Sequence, residues 1–187
     1  MVQFFNQKRK GFTMKYSLIT LVLCFTSIIV GQEVKELSKM DKFVSNVGEI
    51  VRFEDYNLPD IVAYNEKVTN KIRVIVTGKE KGYFFLIQKK DKYDTKTAAI
   101  AEDDLSDVIS ALDNLIENSN NEKGGPDYLE NKFKTEDGFQ IGYAKGTSIT
   151  WFITLEKYGK STILFDGFEG LKSGLASAQE KIKLLKQ

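Results

Sequence analysis

The sequence predicts an α+β protein made of two antiparallel β-meander-plus-helix units in tandem, following an N-terminal signal segment. Three observations predict it. Short runs rich in Val, Ile, Phe and Thr alternate with Gly, Asp and Lys turns, the pattern of antiparallel meanders. Each set of runs ends in an amphipathic helix: Leu105, Val108, Ile109, Leu112 and Ile116 form one stripe, and Leu171, Leu175, Ala178, Ile182 and Leu185 another. The order then repeats, because Lys92-Tyr93 and Lys157-Tyr158 fall in equivalent turns about 65 residues apart, and Leu105 and Leu171 open the two helices. The pseudo-repeats cover about 48–118 and 127–187, inside a single domain expected over 32–187.

The chain begins with Lys8, Arg9, Lys10 and Lys15 and carries no acid before Glu33. Ser17–Val30 is a short apolar core, too short to span a bilayer as a helix and right for a secretory signal. Gly31 supplies the small residue for cleavage, so residues 1–31 read as a signal peptide; Met14 can serve as its true start. The pattern resembles export signals of Bacteroidota-type bacteria. Cys24, the chain's one cysteine, has Leu23 before it and six mostly apolar residues after it, which argues against a lipoprotein acceptor. Export to a periplasmic or extracellular location is the expectation, with no transmembrane span left after cleavage.

Beyond the signal, Val34, Leu37, Met40 and Val44 suggest a helix over Glu33–Asn46. "GEIVRFEDYNLPD" reads as a strand ending at Pro59. "IRVIVT" and "YFFLIQKK" form a hairpin around "GKEKG", and "DKYDTK" leads into the strand "TAAIA". YFFLI is apolar at every position, which suits the interior of a sheet covered on both faces. "EDDLSDVISALDNLIEN" is a helix whose leading acids suit the N-terminal dipole and cap its amides. "NSNNEKGGPD" is a linker. "ENKFKTED", "GFQIGYAKG", "TSITWFITLEK" and "STILF" then read as four strands, and a second helix closes the chain. In the third of these strands Ile149, Trp151, Ile153 and Leu155 point to a dry face, and Thr150, Phe152 and Thr154 to a mixed one.

Residues 1–31 carry four of the 27 basic residues and no acid, so their removal leaves 156 residues at net charge −3. That length suffices for one core without staples. The remainder holds no cysteine and no histidine, so imidazole- or thiolate-based nucleophilic systems and zinc, copper or non-haem iron sites are not expected. We expect no enzyme, no cofactor and no metal. A carboxylate-based hydrolase stays open on the inventory, but no motif nominates its acid pair. Arg52 and Arg73 are the only arginines after the signal, which makes a poor general nucleic-acid binder.

The stretch "KGYFFLIQKKDKYDTKTAAIAEDDLSDVISALDNLIEN", with an aromatic strand, a turn, a short strand and an acidic helix start, resembles the single-stranded-DNA-binding fold of the Whirly family and the related transcriptional positive-cofactor domains. The resemblance lies in the layout of strands-then-helix units. The family's short lysine-containing signature is absent, so the resemblance implies the fold more than the function.

The residues singled out for binding are Lys89, Lys90 and Tyr93 in the first turn and Lys157 and Tyr158 in its counterpart. Lysines interleaved with tyrosine can meet an anion while the ring stacks; the same residues are also ordinary occupants of solvated turns. The acidic run Glu102-Asp103-Asp104 with Asp107 lacks calcium-loop spacing and reads as helix capping. The functional expectation is an exported, non-enzymatic binding or accessory structural protein of the bacterial envelope, its partner an unknown protein, peptide or envelope component. The alternative is a single-stranded nucleic-acid binder with a Whirly-like fold.

Overall fold

The computed structural model describes residues 36–122, 125–156 and 161–187. The N-terminal segment read as a signal, with Met14 and Cys24, and the turn residues Lys157 and Tyr158 lie outside the described residues. From Leu37 to Gln187 the chain is one compact unit. Its elements in order are helix α1 (Lys39–Phe43), strands β1 (Val51–Asn57), β2 (Ile61–Ala63), β3 (Glu66–Thr77), β4 (Glu80–Lys90) and β5 (Thr95–Ala101), helix α2 (Glu102–Asn121), strands β6 (Leu129–Lys134), β7 (Gln140–Lys145), β8 (Ile149–Thr154) and β9 (Thr162–Phe165), and helix α3 (Glu169–Leu185).

The strands make two antiparallel sheets, in the order β1-β3-β4-β5 with β2 also on β3, and β6-β7-β8-β9. The fold is therefore α+β, with each meander followed by its helix. Strand β2 has no counterpart in the reading above. It arises because Pro59 cannot donate to the ladder and breaks the edge strand. Leu58 N–H donates to the Asn70 carbonyl (3.0 Å) and Asn70 Nδ2 donates to the Pro59 carbonyl (2.8 Å), so β1 holds Lys71–Thr77 while β2 takes Glu66–Val68. Helix α1 is shorter than the predicted Glu33–Asn46 segment. The Ser38 hydroxyl accepts from the Asp41 amide (3.1 Å) and caps the helix there.

One core joins both sheets and both long helices. Val68, Ile72, Phe85, Ile100, Leu112, Tyr143, Ile153 and Ile163 are sealed inside it. Trp151 is buried as its strand periodicity predicts, with its ring 5.3 Å from Tyr143 and 5.5 Å from Phe168. Helices α2 and α3 run antiparallel. Glu102 at the start of α2 meets Lys186 beyond the end of α3 (2.7 Å), and Asp113 meets Lys172 near the α3 start (2.7 Å).

The outer face of the first sheet carries a second, smaller core of Ile75, Phe84, Leu86 and Ala101, covered by Met40, Phe43 and Val44 of the α1 segment. Phe43 meets Phe84 edge-on at 5.9 Å. Gly82 makes room for this, since a Cβ there would sit 3.0 Å from the Phe43 ring. This cover explains why YFFLI is apolar on both faces. The α1 segment is a strap, and Lys39 fastens it: its ammonium binds Asp103 (2.9 Å) and Asp104 (2.7 Å), and its backbone N–H donates to both Asp137 oxygens (3.1 and 3.0 Å). The acidic start of α2 thus receives a lysine. The N-cap position itself is Ala101, with no side-chain cap, and the Asp103 carboxylate accepts from the Asp104 amide (3.1 Å). Hydrogen bonding to Lys39 holds the Asp103 carboxyl below its usual value, whereas burial pushes that of Asp137 up.

Candidate functional site

The β4–β5 turn is closed by a hydrogen bond from Asp91 N–H to the Asp94 carbonyl (2.8 Å). Tyr93 at its tip is 87% exposed, with the Lys92 ammonium 5.0 Å from its ring centre, and Lys90 is exposed. Lys89 differs: it points toward the inner side of the sheet and binds Glu66 at 3.1 Å, so its charge is already met. Beside the turn Lys96 joins Asp94 (2.9 Å) and Glu156 (3.4 Å), and hydrogen bonding to Lys96 lowers the Asp94 pKa. Glu156 immediately precedes the second nominated turn. The structure therefore brings the stem of that turn against β5, although Lys157 and Tyr158 themselves are not described.

A second surface lies where β2 meets β9. Ile61 and Ala63 point into the core, as do Ile163 and Phe165. Strand alternation then turns Val62, Tyr64 and Leu164 outward, and they are 71%, 55% and 46% exposed. Tyr64 N–H donates to the Leu164 carbonyl (2.8 Å), which ties the two segments side by side across about 100 residues of sequence. Asn65, at φ 60, turns the chain back into β3. Helix α3 holds β2 in place through two glycines one turn apart. A Cβ at Gly174 would sit 2.5 Å from the Ile61 Cδ1, and one at Gly170 would sit 3.3 Å from the Val62 carbonyl.

Sequence reading missed this ridge. The available signals were the alternation Ile61-Val62-Ala63-Tyr64 and the lack of any polar residue at the outward position of "ILF". Between the start of α2 and the end of α3 lies a cleft of about 420 Å³, bordered by Glu102, Asp103, Ser106, Gln179 and Lys183. Its mixed charge selects no particular ligand. Among the described residues no helix is long and apolar enough to cross a membrane. No family model matches the chain, and no curated protein or solved structure matches it.

Proposed function

We propose that this chain is an exported binding or accessory structural protein of the bacterial envelope, with the β2–β9 ridge as its contact surface for a protein, peptide or envelope component. The observation that carries the reading is the ridge itself. Val62, Tyr64 and Leu164 are three large apolar or amphipathic side chains, side by side, presented to solvent on a backbone that the core and α3 hold rigid. Rigid aromatic and aliphatic anchors on a preformed surface are what partner recognition uses. The export part rests on the basic-then-apolar pattern of residues 8–30 and the small Gly31.

A photo-crosslinking side chain at position 64, introduced into the protein in its native cells, tests both parts. The expected result is a discrete adduct in the envelope fraction, from protein whose N-terminus is Gln32, which is lost when Leu164 is replaced by Asp. A cytosolic protein with its full N-terminus, no adduct, and salt-dependent binding to single-stranded oligonucleotides would replace this reading with the nucleic-acid-binding one.

A further inference from the structure

We infer that the strap mediates self-association: α1 leaves its own sheet and covers the same face of a second copy, giving a strap-exchanged dimer. The complementarity needed is already present within one chain. Met40, Phe43 and Val44 fit the cluster Ile75, Phe84, Leu86 and Ala101, and Lys39 fits the pocket of Asp103, Asp104 and Asp137. Lys42 adds a longer contact to Glu136 at 3.8 Å. A second copy presents this same face, so exchange re-forms every contact that opening breaks.

Three features let the strap change partners. The strap helix has five residues and none of them is fully buried. A helix that short does not hold itself together, so the strap persists only through its docking contacts. The chain behind it, Ser45–Gly48, is exposed throughout, and Gly48 at φ 90 permits a sharp change of direction. Glu49 then anchors the far side, accepting from the Thr77 hydroxyl at 2.7 Å, so the pivot is confined to those four residues.

The described residues around the strap carry one further feature. Of the ten exposed large apolar or aromatic residues among those described, four flank the strap: Leu37 (53%), Val47 (101%), Ile50 (89%) and Phe53 (52%). Val47 stands on the pivot and Ile50 just beyond it. In an exchanged pair the two pivots extend past each other, and these side chains gain a surface that a monomer does not offer.

The test is charge-swap complementation with the protein as it accumulates in its native cells. Lys39→Glu repels the strap from its own acidic pocket. The double variant Asp103→Lys, Asp104→Lys repels an unchanged strap from a reversed pocket. Each alone is expected to be monomeric by light scattering, and an equimolar mixture is expected to form a dimer, since each strap now fits only the other chain. Circular dichroism and thermal melting check that both variants are folded. Deleting Asn46–Gly48 from the otherwise unchanged protein supplies an independent readout. The strap then falls short of its own sheet, and dimerisation should tighten at least tenfold. A mixture that stays monomeric, dimers that form as readily from either variant alone, or a deletion that leaves the dimerisation constant unchanged would overturn the inference.

Discussion

Tyr143 makes the sharpest stability prediction, because its hydroxyl can be removed with little else. The side chain is fully buried, and its ring packs on Trp151. Its oxygen accepts from Asn131 Nδ2 (2.8 Å) and donates to a Glu122 carboxylate oxygen (3.1 Å). Tyr143→Phe keeps the ring and the packing. It leaves the Asn131 amide without its acceptor and the Glu122 carboxylate without its donor. Losing a hydrogen bond to a charged group and leaving two half-buried partners unpaired costs about 2 kcal/mol, within a range of roughly 1–3. For a unit of this size that lowers Tm by about 4–8 °C. Urea unfolding should show a lower midpoint at unchanged slope.

The same hydroxyl predicts a pH dependence. Burial is the main cause that raises its pKa above the usual value of about 10. The unfolded chain therefore ionises first as pH rises. The folded state binds the proton more tightly, so this contribution is complete below about pH 10 and is lost as pH climbs above it. The phenylalanine variant should lose that part of the alkaline decline. A destabilisation under about 0.5 kcal/mol, the size of an ordinary surface change, together with an unaltered alkaline limb, would show that the Asn131–Tyr143–Glu122 chain stabilises nothing.

Two further substitutions probe the first sheet and the ridge. Asp55 clasps β1 to β3 through Arg73 (2.7 and 2.8 Å) and Lys71 (2.7 Å), and hydrogen bonding to Arg73 is the main cause that lowers its pKa to about 2. Its contribution is therefore full above about pH 4 and disappears as pH falls toward 2. Asp55→Asn should lose about 1 kcal/mol at neutral pH, after allowance for the partial exposure of the group, and should flatten the acid limb of stability against pH. Gly174→Ala sets the helix gain of about 1 kcal/mol against a collision with Ile61. We expect the collision to dominate, giving net destabilisation in urea melts and faster hydrogen exchange at the Tyr64 amide; a more stable protein with unchanged exchange would contradict the packing of β2 on α3.

Much of this architecture is legible in the sequence, and the failures have physical causes. Eight of the nine described strands and both long helices are legible, from apolar runs or alternation bounded by turn residues and from the two helical stripes. Strand β3 reads as beginning near Ile72 but begins at Glu66, since Asn70 occupies an inward position and disguises the alternation. Its amide is there to bind Pro59, and that bond is what separates β1 from β2. The candidate site is legible only in part. Lys90 and Tyr93 are exposed, as turn residues should be, while the partner of Lys89 is Glu66, 23 residues away. The ridge is invisible to any local window, because Tyr64 and Leu164 become neighbours only when β9 closes on β2.

The strand registers also explain why the two sheets present different outer faces. In the first sheet Ile72, Phe85 and Ile100 lie in one row on the inner face; in the second, Tyr143, Trp151 and Phe165 do. Aligning these rows sets Phe84, Leu86, Ala99 and Ala101 against Thr150, Phe152, Leu164 and Asp166. Where the first unit has a continuous apolar floor, the second has a threonine, an aspartate and only two apolar residues. The first floor is too apolar to leave in water, and the chain covers it with its own strap. The second is more polar, and Gly142 lets the neighbouring strand approach closely beside its buried Phe152, where a Cβ would collide with the Asn131 carbonyl. Leu164 alone is left proud, and β2, the one strand with no counterpart in the second unit, adds Val62 and Tyr64 beside it. The same strands-then-helix layout thus carries one face adapted to an internal segment and one ridge without an internal cover among the described residues, and it is on this difference that both the binding reading and the strap exchange depend.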